Sequence, residues 1–122
     1  MKVDGTIRWI TLSYSASSLY SLTADGKYRS TSIGENKWRN LLPTSSLQDY
    51  CNREGFNTKG TYSGYSSYHA GARLGFIANN QNNFYTPDSF LGFGTQYRSS
   101  RNSAGNHYDR VNTKTIAYIM AR

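Results

Sequence analysis

Apolar and polar residues alternate at both ends of the chain, in residues 6–14 (TIRWITLSY) and 113–121 (TKTIAYIMA). Alternation of this kind, rich in β-branched and aromatic residues, predicts half-buried strands. Two shorter runs, residues 72–78 (ARLGFIA) and 90–95 (FLGFGT), predict two further strands, and the glycines of the second indicate close approach of neighbouring backbone. Since the longest predicted strands are the first and the last, we expect both termini to lie in one sheet.

One segment has the signals of an amphipathic helix. Ser45 and Gln48 have the spacing of a capping box, which satisfies free amides at a helix start. An apolar stripe at helical spacing follows, formed by Leu47, Tyr50 and Cys51. Gly55 stands where a left-handed C-cap is wanted. These signals predict a helix over about residues 45–54, with Cys51 facing the core.

Together these elements predict a mainly β fold with a minor α+β character. We expect a compact antiparallel β-sandwich-like domain with one short helix. A chain of 122 residues is the length of about one domain, so residues 1–122 are expected to form a single binding domain. Residues 15–32 are polar and rich in turn signals, and residues 57–71 are expected to form a long loop.

The net positive charge of the chain favours anionic binding partners. Fourteen Lys and Arg against seven Asp and Glu give a net charge of +7, which attracts phosphates, anionic glycans or nucleic acid. The basic residues are scattered, and a run of five or more does not occur, which excludes a basic tail. With neither a recognition helix nor an RNA-binding strand motif, nucleic acid is disfavoured as a partner. Charge that only maintains solubility is the alternative.

Groups for acid–base catalysis do not converge in the sequence. Most carboxylates fall at turns or, like Glu54, at exposed positions of the predicted helix, and Asp88 is expected to cap a turn. His69 and His107 have no partner at metal-ligand spacing. We therefore expect no enzyme, no metal and no cofactor, with hydrolysis of a polysaccharide by Asp88 and His107 as the alternative. Apolar runs are too short to span a bilayer, so membrane insertion is not expected.

Two polar loops carry the candidate binding chemistry. In residues 61–69 (TYSGYSSYH), tyrosines offer contact area while Ser and Gly offer adaptable hydrogen bonds. Residues 96–110 add arginines, whose forked guanidinium groups fit carboxylates and phosphates. The candidate ligand-binding residues are Tyr62, Tyr65, Tyr68, His69, Tyr97, Arg98, Arg101, Asn106, His107, Tyr108 and Arg110. The alternative is that both loops are solvated and that their tyrosines pack on the domain below.

Three segments, read together, carry a family resemblance. They are residues 50–57 (YCNREGFN), residues 72–95 with the runs NNQNN and PDSFLGFG, and residues 114–122 (KTIAYIMAR). As a group they resemble the C-terminal receptor-binding or adhesin tip domains of bacterial surface proteins, conjugative-pilus adhesins and phage tail fibres. The resemblance implies an extracellular domain at the C-terminal tip of a longer protein, on a cell-surface appendage or a virion tail.

The loops and the resemblance lead to the same functional expectation. We expect a lectin-like adhesin or receptor-binding domain that recognises a bacterial surface glycan, such as lipopolysaccharide or another acidic polysaccharide. A structural or assembly cap that trimerises the end of a fibre is the alternative, with a homo-oligomer formed through the parent fibre. A nucleic-acid-binding module is the weakest of the three.

Overall fold

The computed structural model describes residues 1–3, 5–43, 45, 47–60, 70–82, 86–95, 103–106 and 112–120, and gives only the backbone of residues 2–3, 51–52, 106 and 112. The predicted mainly β class is confirmed. The elements in chain order are β1 Lys2–Val3, β2 Thr6–Ile7, α1 Leu19–Thr23, β3 Arg29–Ser30, α2 Glu35–Leu41, β4 Tyr50–Lys59, β5 Gly71–Asn79, β6 Ser89–Phe93, β7 Ala104–Asn106 and β8 Asn112–Thr113.

Strands β3 to β8 form one antiparallel sheet in which each strand pairs with the next along the chain. Its longest pairing joins β4 to β5, where Phe56 lies opposite Leu74, and β5 continues to β6, where Phe76 lies opposite Leu91. Side chains two residues apart point to the same face of a strand. These four residues are therefore on one face, and all are buried.

The main core lies between that face and the segment around α2. Trp38 and Leu41 of α2, with Leu42 and Leu47 that follow it, form one buried cluster with the apolar side chains of the sheet. Trp38 is only 1% exposed, and burial of a large apolar side chain contributes roughly 1.5 to 3 kcal/mol. The opposite face carries a smaller cluster of Ala70, Ile77 and Phe90.

Three glycines lie side by side across the sheet. Gly55 of β4 pairs with Gly75 of β5, which pairs with Gly92 of β6. Gly92 has a φ of +144°, and a Cβ there would overlap the carbonyl oxygen of Leu74. The predicted close approach of backbone at the glycine-containing strand is confirmed.

The predicted helix over residues 45–54 is wrong. Residues from Tyr50 onward form β4, whose pairing with β5 runs to Lys59 with one irregularity between Tyr50 and Arg53. Gly55 lies within the ladder instead of ending a helix. Pairing with strands on both sides has overridden the local helix signals. The same strand shortens the loop predicted over residues 57–71.

The predicted opening and closing strands are largely wrong as well. In the described part of these two segments, pairing with other strands is confined to Thr6–Ile7 and to Thr113 of β8. The first pair belongs to a separate two-stranded sheet with β1, so the described residues of the two ends do not meet in one sheet as predicted. Residues 8–14 belong to no helix or strand, and Ile10 and Leu12 of this segment pack against the main core.

Both helices were missed because they are short. Residues 15–32, read as turns, contain the five-residue α1, and α2 has seven residues, about two turns. Neither offers enough residues for a period of 3.6 to be seen against background. Within the described residues, the structure contains no helix with the length and apolar content needed to cross a membrane.

Candidate ligand-binding groove

Nearly all of the site residues predicted from the two polar loops lie outside the described residues. They are Tyr62, Tyr65, Tyr68, His69, Tyr97, Arg98, Arg101, His107, Tyr108 and Arg110. Asn106 is described only in its backbone, which forms the last residue of β7 opposite Ser89. The two-loop binding surface therefore stays a prediction.

The second predicted loop is not one continuous loop, because β7 interrupts it. Since neighbouring strands are antiparallel, β4 ends and β5 begins at the same end of the sheet at which β6 ends and β7 begins. Strand β7 ends at the opposite end, where Asn106 pairs with Ser89. A paired strand therefore divides the range that was predicted as one loop.

A groove of about 1040 Å³ lies beside the edge strand β3, between two segments that are distant in the sequence. One wall consists of residues 7–11 and 13–14, in the N-terminal segment. The other consists of residues 30–33 together with Lys37, Asn40, Leu41 and Pro43, and so includes one side of α2. The groove is open to solvent on its outer side.

Two aromatic side chains line this groove. Trp9 is 76% exposed, although tryptophan is among the residues that gain most from burial. Tyr14 is 43% exposed, and its ring packs edge-to-face on the buried Phe56 with ring centroids 5.2 Å apart. Phe56 thereby holds the Tyr14 ring in place, whereas the face of Trp9 is open to a ligand.

The charged groups of the groove are both cationic. Arg8 lies in the N-terminal wall and Lys37 on α2, while none of the described lining residues is Asp or Glu. Arg8 is half-buried, and its Nη1 is buried without a hydrogen-bond acceptor in the structure described. Its backbone is fixed by Met1, whose amino group donates to the Arg8 carbonyl (2.7 Å) and whose carbonyl accepts from the Arg8 amide (2.9 Å).

Glu54 of β4 holds the second wall of the groove in position. Its Oε2 accepts hydrogen bonds from the Thr31 hydroxyl (2.6 Å) and the Ile33 amide (2.9 Å). The same oxygen accepts from the Trp38 indole N–H (2.9 Å), and Oε1 accepts from the Gly34 amide (2.8 Å). One carboxylate therefore ties β4 to the segment that leads into α2 and to the core tryptophan.

The pKa of Glu54 reflects this set of donors. Burial alone would raise it, but the hydrogen bonds from Thr31, Trp38, Gly34 and Ile33 stabilise the ionised form more strongly, and the pKa lies below its ordinary value. The expectation that Glu54 occupies an exposed helical position is wrong, because the residue lies half-buried in a strand.

Asp88 is a buried carboxyl group whose pKa is shifted in the opposite direction. It lies just before β6, only 7% exposed, with its amide donating to the Ala78 carbonyl (3.1 Å). Burial raises the pKa of Asp88 to about 6, although a hydrogen bond with the Gln48 side chain opposes that rise. Asp88 Oδ1 and Gln48 Oε1 are both buried without a hydrogen-bond partner among the described contacts. Asp88 does not line the groove.

The groove was missed in the sequence, although one signal for it was present. In residues 6–14, Ile10 and Leu12 follow the buried phase, whereas Trp9 follows the opposite one. When the other phase of a segment is buried, a tryptophan on the opposite, exposed phase indicates a contact surface. The contribution of residues 30–43 has no local signal, because it depends on how Glu54 places that segment.

Within the described part of the chain, no three His, Cys, Asp or Glu residues lie close enough together to hold a metal ion. Comparison of the chain with protein-family models, with curated proteins and with solved structures gave no match. The groove residues are therefore the basis of the function proposed for this protein.

Proposed function

We propose that this protein is a lectin-like adhesin or receptor-binding domain for a bacterial surface glycan, and that the groove is a sugar-binding surface. The observation that carries the proposal is the exposed ring of Trp9 on a groove whose lining combines hydroxyl, amide and cationic groups with apolar side chains. An extracellular location, on a cell-surface appendage or a virion tail, belongs to the same proposal.

The composition of the groove supports a sugar better than an apolar ligand. A sugar ring has an apolar face of C–H groups that can stack on an aromatic ring, and a rim of hydroxyl groups that needs hydrogen bonds. Trp9 offers the stacking surface, and Ser13, Ser32 and Asn40 offer donors and acceptors along the walls. A few polar groups around an apolar surface are the usual means of fixing a ligand's orientation.

The direct test is a glycan array of bacterial surface polysaccharides, probed with the wild type and with Trp9→Ala. Because Trp9 is mostly exposed, its removal should leave the melting temperature nearly unchanged while retention falls by about tenfold or more. Tyr20→Ala is the matched control, since Tyr20 is 77% exposed on α1 and does not line the groove.

Retention that is equal for the wild type and Trp9→Ala would remove the groove from the proposal. Absence of retention of the wild type on every polysaccharide, with salt-sensitive binding to DNA, would instead favour a nucleic-acid-binding module.

A structural cap of a fibre is the second candidate, and one observation favours it. In the closing segment, Ile116, Tyr118, Ile119 and Met120 are exposed, while Ala117 packs against the core. A group of large apolar side chains open to solvent is suited to contact with another chain. A mass measurement of the isolated domain in solution separates the candidates: a stable trimer favours the cap, and a monomer that binds glycan favours the lectin.

A further inference from the structure

Arg8 has an incomplete set of partners in the groove. Its Nη1 is buried without an acceptor in the part of the chain that is described, although a guanidinium group carries five N–H donors. A buried donor left unsatisfied is costly. The clamp between Met1 and the Arg8 backbone holds the main chain of this residue in the wall, and an acceptor brought by a ligand would satisfy the guanidinium.

Among the described residues that line the groove, none has a negative charge that would offset the positive charge of Arg8. Lys37, exposed on the opposite wall, adds a second positive charge, and no acidic residue stands among the described lining residues. The carboxylate behind that wall is Glu54, which is engaged by four donors from Thr31, Ile33, Gly34 and Trp38. Two cations facing one space favour a ligand with a negative group.

From these contacts we infer that the groove selects sugars that carry an anionic oxygen group, a carboxylate or a phosphate, and that Arg8 is the residue that anchors this group. The inference rests on the proposed function, because it specifies which glycans the groove takes. Arg8 binds the anion through paired N–H donors, and Lys37 contributes a point charge from the other wall. The open face of Trp9 then stacks on the ring that carries the anionic group.

The site so defined differs from the one that the polar loops suggested. There the anion was assigned to Arg98, Arg101 and Arg110, whereas here it is bound by a cation of the N-terminal segment and a cation of α2. Either set fits the net charge of +7, and substitutions can tell them apart because the two sets share no residue.

The experiment uses each glycan as its own neutral control. Purified lipopolysaccharide core oligosaccharides are tested before and after removal of phosphate with hydrofluoric acid. Acidic capsular polysaccharides are tested before and after reduction of their carboxylates to alcohols. We expect wild-type affinity to fall roughly tenfold to a hundredfold when the anionic group is removed, the range for loss of hydrogen bonds to a charged group. The two treatments identify whether phosphate or carboxylate is the group that is bound.

Substitutions of Arg8 and Lys37 test whether these two residues cause the preference for the anionic glycan. Arg8→Gln should lose most of the preference for the native over the neutralised glycan, and Arg8→Lys should recover only part of it, since an ammonium lacks the fork. Lys37→Gln, at an exposed position that tolerates change, should reduce the preference without lowering the melting temperature. Lys59→Gln is the matched control, because Lys59 is an exposed cation at the end of β4 outside the groove lining.

The outcomes separate this inference from the proposed function. If the wild type binds the native and the neutralised glycans equally well, the groove is a sugar site without charge selection and the inference is overturned. A preference that survives in both Arg8→Gln and Lys37→Gln overturns it too and returns the anion to the loop arginines. If the wild type binds none of the glycans, the proposed function itself fails.

Discussion

At the scale of single residues, Asp88 and Glu54 make the stability of the fold respond to pH in opposite directions. Asp88 is buried with its Oδ1 unsatisfied, beside a Gln48 whose Oε1 is also unsatisfied. A proton on Asp88 would let the acid donate to the amide oxygen while the amide nitrogen donates to the acid, and both oxygens would then have partners. Glu54 has the reverse environment, since every contact of its carboxylate is with a donor.

The first prediction concerns Asp88→Asn, which replaces the acid with a neutral group of the same shape. The pKa of Asp88 is raised from 3.8 to about 6 in the folded protein, so the folded state favours the protonated acid. Its contribution to stability is therefore greatest below about pH 4 and is lost as the pH rises through 6, by roughly 3 kcal/mol in total. Asp88→Asn should remove this loss and raise the melting temperature at pH 7.5 by several degrees.

Thermal unfolding of both proteins from pH 4 to pH 8 measures the effect. Asp49→Asn is the control, because the Asp49 side chain is 86% exposed and its change should alter stability little. A variant Asp88→Asn that is less stable than the wild type at pH 7.5 would contradict this account of the carboxyl group.

The second prediction concerns Glu54→Gln. A glutamine has one acceptor oxygen where the carboxylate has two, and its amide nitrogen would face a donor. We expect a loss of about 2 to 3 kcal/mol in the free energy of unfolding, measured by urea denaturation at pH 7. Because the pKa of Glu54 is lowered, its contribution is present above pH 4.5 and lost as the pH falls through the folded-state pKa.

Glu35→Gln is a matched control for this change. Glu35 pairs with Arg39 at 2.6 Å on α2, and an i,i+4 pair of this kind contributes only about 0.3 to 0.5 kcal/mol. Equal losses for the two variants would mean that the four hydrogen bonds of Glu54 have no special weight.

At the scale of elements, the strands predicted well from the sequence are β5 and β6, whose apolar runs carry no competing helix signal. Strands β5 and β6 match the runs at 72–78 and 90–95 to within a few residues. Strand β4 was missed because residues 45–54 carry a cap signal and an apolar spacing that also fit a helix. The pairing of β4 with β3 and β5 involves partners up to 29 residues away, as between Tyr50 and Asn79, and no local pattern contains that information.

The third prediction tests the row of glycines that joins these strands. Gly92→Ala places a Cβ against the Leu74 carbonyl oxygen at a φ of +144°, and we expect a loss of at least about 3 kcal/mol or failure to fold. Gly26→Ala is the control, because Gly26 also has a positive φ, +70°, but open space around it. It should cost about 1 to 2 kcal/mol from backbone strain alone. Similar melting temperatures for the two variants would argue against a tight approach of β5 and β6.

At the scale of the whole molecule, the candidate site arises where distant segments meet. In the sequence, Trp9 lies on the opposite phase from Ile10 and Leu12, but its exposure was not predicted. The second wall of the groove comes from residues 30–43, which Glu54 holds against the sheet. The tyrosine-rich loops were predicted as the site because composition shows which residues suit binding, and not which of them face one space. The division of the second predicted loop by β7 could not be seen in the sequence either, because it depends on strand pairing.

The central claim is that a surface glycan binds against Trp9, and the tryptophan fluorescence of the protein tests it most directly. The chain has two tryptophans, Trp9 at 76% exposed and Trp38 at 1%, so only Trp9 can change its contact with solvent when the groove is filled. Titration with the glycan best retained on the array should shift the emission of the wild type to shorter wavelength, and should leave Trp9→Ala unchanged. Saturable binding without a change in wild-type emission, or with the same shift in Trp9→Ala, would contradict the claim.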